Sequence, residues 1–198
     1  PRGIAVYGTF YQSWYEYILA MLRFQEARTG EDYLAFEADM EEYTKLFYKH
    51  YVEMEPLDKI ISNPKWKALL ERDFALTPQG DILYRRSVFW RELAGVPPAK
   101  AWAQLDAHVL SIYGEADFEV FNPASMSEIA RIVNNYHPGK GTYKFLEGTD
   151  HSMIKVGSMD KGLELRGSPE YRNYLMNHFN YEVVTTLHEW IQNVLQGS

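Results

Sequence analysis

Two segments of this chain share one layout: Val109-Leu-Ser-Ile-Tyr-Gly-Glu-Ala-Asp117 and Tyr143-Lys-Phe-Leu-Glu-Gly-Thr-Asp-His151. Each is a short apolar run that reads as a strand, and each enters a loop containing glycine. A third run, Gly3-Ile-Ala-Val-Tyr7, closes on Gly8. Continuous apolar runs suit strands buried on both faces of a parallel sheet. In such a sheet, functional groups collect at the carboxyl ends of the strands. The first loop ends in the carboxylate of Asp117 and the second in the imidazole of His151. A carboxylate that accepts an imidazole N–H fixes the tautomer and stabilises the imidazolium. The other ring nitrogen can then take a proton from a nucleophile and return it to a leaving group. Glu115 and Glu119 lie in the first loop as alternative acids.

Helical periodicity separates the strands. The spacing predicts helices over 14–28, 32–54, 57–62, 64–73, 84–94, 98–105, 123–136 and 181–195. Gly30 punctuates the first of these, and a turn lies at 77–81. The longest carries Tyr33, Phe36, Met40, Tyr43, Phe47 and Tyr51 at steps of three and four, one apolar stripe that Pro56 ends. In the last, Val184, Leu187, Ile191 and Leu195 share a face. Strands alternating with helices give an α/β chain with a small parallel sheet of about three strands.

The two strand-loop segments, in the order acid then histidine, resemble the C-terminal half of an α/β-hydrolase. Leu110–Asp117 is similar to that family's seventh strand and acid loop, Phe145–His151 to its eighth strand and histidine loop, and Arg2–Gly8 to its sixth strand. The resemblance implies an organisation of 1–10 as the first core strand, 11–101 as an all-helical cap, and 102–198 as the C-terminal core. It selects Asp117 as the acid and His151 as the base of a serine-hydrolase triad acting on an ester or amide. It places Tyr7, Gly8 and Thr9 beside the substrate, an acyl or peptide-like molecule. The family's Gly-x-Ser-x-Gly elbow is absent from these residues. The resemblance therefore implies a fragment of a larger hydrolase, inactive alone, whose partner is the missing N-terminal half. Alternatives are a relative with an Asp nucleophile, a non-catalytic interaction module, or a small complete domain in which Asp117 and His151 coincide.

Composition narrows the partners. The net charge of −7 comes without a basic stripe, which argues against nucleic acid or an anionic membrane. Nothing approaches the roughly 18 apolar residues of a membrane span. The compartment is left open. Cysteine is absent, so no disulfide or thiolate site exists. No His/Asp/Glu spacing predicts a metal, and no cofactor is expected. Ser111 lies inside a strand and Ser152 follows the histidine directly, so neither suits a nucleophile. Gly139-Lys-Gly-Thr142 lacks the earlier glycine and following helix of a phosphate loop. His50, His108, His137, His178 and His188 are read as structural or solvated, and Asp150 as shaping its loop. With the upstream half gone, the apolar Gly3–Tyr7 strand becomes an edge, through which self-association is expected.

Overall fold

A computed structural model describes residues 1–28 and 32–196. In chain order the elements begin with β1 (Gly3–Tyr7), α1 (Trp14–Glu26), α2 (Tyr33–Phe47), a π-helical turn (Tyr48–Val52), α3 (Leu57–Ile61) and α4 (Pro64–Asp73). They continue with β2 (Asp81–Ile82), β3 (Arg85–Arg86), α5 (Ser87–Ala94), α6 (Pro98–Gln104) and β4 (His108–Gly114). The chain then forms α7 (Pro123–Tyr136), β5 (Gly141–Leu146), α8 (Met159–Arg166), α9 (Tyr171–Asn177) and α10 (Glu182–Gln196). The Gly30 breakpoint lies outside the described residues.

Contacts divide the chain into two compact units: Pro1–Tyr11 with Pro98–Ser198, and Gln12–Pro97. The first is an α/β unit. Its sheet has the order β1-β4-β5, with both pairings parallel. The central strand β4 is buried from Val109 to Gly114 because it has a strand on each side and helices on its faces. On one face Leu110, Ile112 and Leu146 pack with Val183, Leu187 and Trp190 of α10. Helix α7 lies against β4 and β5, burying Met126, Ile129 and Val133. It begins at a cap that the sequence sets up: Asn122 accepts the Ala124 N–H at 3.0 Å and Pro123 sits at the first helical position.

The sheet-facing stripe of α10 is turned by one residue from the expected one. Val183 is buried, and Leu187 and Trp190 contact the sheet core, whereas Val184, Ile191 and Leu195 are about half exposed. Two adjacent apolar stripes run along this helix, and the Trp190 ring decides between them by filling the space over Gly3. A β-carbon there would stand 2.6 Å from the ring.

The second unit, inserted in the chain after β1, is built on aromatic packing. Trp14 stacks on Trp90 at 4.6 Å, and Phe47 stacks between Tyr43 and Tyr51 at 5.7 and 5.3 Å. Ser13 and Glu16 form a reciprocal capping box at the start of α1, a device worth about 1 kcal/mol. The predicted 32–54 helix departs from α geometry at Tyr48, where the π-turn begins. It ends at Met54, which takes a left-handed φ of 57°, ahead of Pro56. Tyr33, expected in the stripe, is exposed.

This unit is not all-helical as expected. Residues predicted to open a helix at Tyr84 instead close a small antiparallel hairpin, and α5 starts at Ser87. The hairpin turns through Leu83 and Tyr84, both left-handed, with φ of 47° and 62°. That geometry ordinarily calls for Asn-Gly. Here it is held from outside the turn: Leu83 N–H donates to Phe74 O at 2.8 Å, and Trp90 Nε1–H donates to Ile82 O at 2.6 Å. Helices α8 and α9 also went unpredicted. Gly162, Gly167 and Pro169 interrupt any helical period there.

Gly141 pins β5 to α7. Its N–H donates to Asn134 Oδ1 at 2.9 Å and its carbonyl accepts from Asn134 Nδ2 at 2.8 Å. A β-carbon at this position would lie 2.2 Å from the Ala130 carbonyl oxygen. Gly141→Ala is therefore expected to cost about 1–3 kcal/mol by overpacking. Urea unfolding checks this, and a variant as stable as the wild type would contradict the close approach.

Candidate active site

The parallel register brings the ends of β1, β4 and β5 to one side of the sheet. Tyr7 is opposite Ile112, and Gly114 is opposite Leu146. Beyond β4 the backbone turns at once, as Asp117 N–H donates to Gly114 O at 3.1 Å. The loops after β4 and β5 are stitched together. Glu115 N–H donates to Leu146 O at 3.0 Å, and Ala116 N–H to Thr149 O at 2.9 Å. The Glu115 side chain accepts the Gly148 N–H at 2.9 Å, so this carboxylate belongs to the scaffold.

Asp117 is fully buried. Its Oδ1 accepts the N–H groups of Glu119 and Val120 at 2.8 and 2.7 Å. Its Oδ2 lies 2.9 Å from His151 Nδ1. An ionised carboxylate can only accept, so Nδ1 carries the proton and donates. The imidazole is part-exposed, with 32% of its side-chain surface accessible. On its far side, Nε2 lies 3.2 Å from Glu119 Oε2. Both ring nitrogens thus face carboxylates, an arrangement that the doubly protonated ring satisfies best.

Of the three β1-end residues, Tyr7 and Gly8 shape the surroundings of this pair. Tyr7 donates its hydroxyl to the Asp150 carbonyl at 2.6 Å. Burial, then the charges of Asp117 and Asp150, push its pKa up, so the phenol keeps its proton. Gly8 has a left-handed φ of 53°, and a β-carbon there would be 2.8 Å from His151 Nδ1 and 2.9 Å from Asp117 Oδ2. Only glycine leaves room for the hydrogen bond. Thr9 directs its N–H to Met126 sulfur at 3.3 Å.

Asp150 fixes the histidine loop. Its Oδ1 accepts Ser152 N–H at 2.8 Å and Ile154 N–H at 3.2 Å, while Oδ2 has no hydrogen-bond partner. Burial raises its pKa, opposed by those backbone donors and by Arg166. Thr149 accepts from Asn180 Nδ2 at 2.7 Å, tying the loop to the chain ahead of α10. Arg166 of α8 reaches Glu119 Oε1 at 3.2 Å. Sequence reasoning did not single out Arg166, because no local pattern links it to residues so distant in the chain.

The remaining candidates lie elsewhere. Ser111 is buried and donates to Met126 O at 2.8 Å. Gly139 and Lys140 form a turn into β5, with Lys140 paired to Asp106. His50 is buried with Nδ1 2.8 Å from Glu55 O, and His178 stacks on Tyr174. His137 lies 3.2 Å from Ala103 O and 3.5 Å from Asp106. A cleft of about 360 Å³ between α10 and the starts of β4 and β5, lined by His108, Thr142, Lys144 and Trp190, is at the other end of the sheet from Asp117 and His151. The pair, a part-exposed imidazole held on a buried carboxylate, is the candidate site. Among the described residues, no group of three or more His, Asp or Glu could hold a metal ion. No helix of the described residues is long and apolar enough to cross a membrane.

Compared with protein-family models, curated proteins and solved structures, the chain finds no match. The case for the site therefore rests on its geometry.

Burial works against a charged His151, but the hydrogen bond and charge of Asp117, with Glu119 adding, outweigh it. The pKa is raised above the ordinary imidazole value, with Arg166 opposing. A raised folded-state pKa gives stability that is fully present below the unfolded-state value and lost as pH rises through the folded-state value. Asp117→Asn removes that contribution. An NMR titration of the His151 ring should show a lower midpoint in the variant, and an unchanged midpoint would sink the assignment of Asp117 as the controlling charge.

Proposed function

We propose that Asp117 and His151 are the acid and base of a nucleophilic triad of the α/β-hydrolase kind, cleaving an ester or amide of an acyl or peptide-like substrate. The observation that carries this reading is the 2.9 Å contact between His151 Nδ1 and a buried Asp117, made at the ends of adjacent parallel strands. Asp117 holds the tautomer. His151 Nε2 takes the proton of an attacking hydroxyl and passes it to the leaving group. Tyr7, Gly8 and Thr9 border the substrate side. These residues contain no Gly-x-Ser-x-Gly elbow, so this reading requires a nucleophile that none of the described serines supplies at that spacing.

Alone, the chain is expected to show no His151-dependent turnover of a short-chain aryl ester. In a longer chain that supplies a Gly-x-Ser-x-Gly elbow, it should hydrolyse the ester. His151→Ala should then abolish turnover, and Asp117→Asn should lower kcat by on the order of 10⁴. Turnover by the longer chain that ignores His151→Ala overturns the triad. Turnover by the isolated chain that His151→Ala removes would locate the nucleophile within these residues.

The same reading concerns association. Strand β1 pairs with β4 alone among the described strands, and Ala5 at its middle is exposed. An uncharged strand edge recruits another strand. Light scattering over a concentration series should show the chain self-associating, and Ala5→Lys should weaken it. A strictly monomeric wild type at high concentration counts against an open β1 edge.

A further inference from the structure

Strand β1 turns its main-chain groups to two sides in alternation. Arg2 O accepts from His108 N–H at 3.0 Å, and Gly8 N–H donates to Ile112 O at 3.3 Å. Every second residue of a strand presents its N–H and C=O to the same side, so Ile4 and Val6 also face β4. The main chain of Gly3, Ala5 and Tyr7 faces the other way, and no described strand pairs with it. This row is symmetric about Ala5. Laid antiparallel on the same row of a second copy, it pairs Ala5 with the partner's Ala5, and Gly3 with the partner's Tyr7, each pair exchanging two hydrogen bonds. The opposite edge of the sheet is protected differently. There β5 carries Lys144, paired with Glu182 at 3.0 Å, and charge on an edge discourages strand addition. No charge lies between Gly3 and Tyr7.

Helix α10 belongs to the same compact unit and extends this surface. At about 100° per residue, Leu187 and Trp190 point down onto the sheet core. Thr186, Glu189 and Asn193 flank them on the β5 side, where they line the cleft with Thr142 and Lys144. The half-exposed Val184, Ile191 and Leu195 project to the opposite flank, which is the β1 side. Both carboxylates of the helix, Glu182 and Glu189, lie away from that stripe, so two copies of it meet without like charges. Below the stripe the edge residues are small. Gly3 lies under the Trp190 ring and Tyr7 joins the α10 core, so the exposed Ala5 between them shares that face.

The levels also match. Glu182 is held by Lys144, which is in register with Ile112 and hence with Tyr7. Trp190 stands over Gly3. Ala5 is therefore level with Thr186 and Leu187, close to midway between Val184 and Ile191. We infer that the β1 edge and the outer stripe of α10 form one self-complementary surface, whose partner is a second copy of this chain related by a two-fold axis at Ala5. The sheets join in the order β5-β4-β1-β1-β4-β5, and the two α10 helices run antiparallel about three strand spacings, roughly 14 Å, apart. A helix with its side chains is about 10–12 Å across, so Val184 of each copy reaches toward Ile191 of the other. One strand edge and a narrow stripe make a small contact beside the roughly 800 Å² a side of a standard interface, so the dimer forms reversibly with concentration. The inference rests on the open β1 edge and on nothing in the triad.

The chain has no cysteine, so a single introduced thiol reports its neighbour. Opposed residues of a hydrogen-bonded antiparallel pair are about 5.5 Å apart between α-carbons, within the roughly 4.4–6.8 Å that a disulfide spans. With oxidised glutathione, Ala5→Cys should cross-link to a second copy of itself, and Thr142→Cys on the β5 edge should not. Light scattering of the wild type should level off at twice the 23.1 kDa chain mass. Ile191→Glu and Val184→Lys should each weaken dimerisation by at least roughly tenfold, because an unpaired charge then faces an apolar side chain. Mixing the two variants should restore it, since the introduced carboxylate and ammonium face each other across the axis. Both positions are half-exposed, and circular dichroism checks that each variant is folded. Absence of the Ala5→Cys cross-link overturns the surface, and mass that grows without levelling off overturns the two-fold axis. Folded variants that do not reassociate on mixing overturn the α10 contact. None of these readouts uses ester turnover, so failure of the dimer and failure of the triad are told apart.

Discussion

The carboxyl end of the sheet is organised by one buried charge. Asp117 has no solvent contact, and an ionised carboxylate in that position is tolerated only when its oxygens are occupied. Two backbone N–H groups take Oδ1 and the imidazole takes Oδ2. Those three donors dictate the local geometry. The loop must curl back so that Glu119 and Val120 point their N–H groups inward. The histidine must leave the neighbouring strand at the same level. Nothing larger than glycine can follow β1, because a β-carbon on Gly8 would press on the very atoms that make the bond. Removing one partner from such a site typically costs about 3–5 kcal/mol, because the charge stays behind.

Parallel pairing supplies the rest. Strands that run the same way end on the same side, so three loops far apart in sequence are delivered to one place. They are then locked by contacts that do not involve the pair: the Tyr7 hydroxyl on the Asp150 carbonyl, Glu115 on the Gly148 N–H, and Asn180 on Thr149. Such contacts fix the orientation of the ring relative to Asp117. Charge is balanced over a wider circle. His151 sits between Asp117 and Glu119, while Arg166 sits between Glu119 and Asp150. The state of the ring therefore depends on a helix, α8, that contributes nothing to the sheet itself.

How much of this was legible varies with the range of the interaction responsible. The three strands could be read directly, since β1 carries an unbroken apolar run and β4 and β5 carry short, largely apolar ones. So could α7, with Asn122 and Pro123 at its start and a clean inward stripe. The hairpin at Asp81–Arg86 could not. Leu83 and Tyr84 are poor left-handed residues, and it is Phe74 and Trp90 that hold the turn. The last helix shows the same limit in milder form. Its two apolar stripes are both plausible on periodicity, and a single large ring over Gly3 determines which one faces the sheet.

By itself the sequence determined the strands, the main helices, and the positions of an acid and a histidine at two strand ends, because these follow from patterns spanning a handful of residues. It also determined that no serine sits between glycines at the elbow spacing. Only the tertiary structure decided that Asp117 rather than Glu115 or Glu119 meets Nδ1, since all three share one loop and backbone direction alone separates them. Glu115 turns to the neighbouring loop, Asp117 turns inward, and Glu119 reaches the opposite nitrogen. Arg166 joins them through the placement of a helix whose sequence carries no periodic signal. Long-range packing sets which charges meet, and no short-range pattern in the chain encodes it.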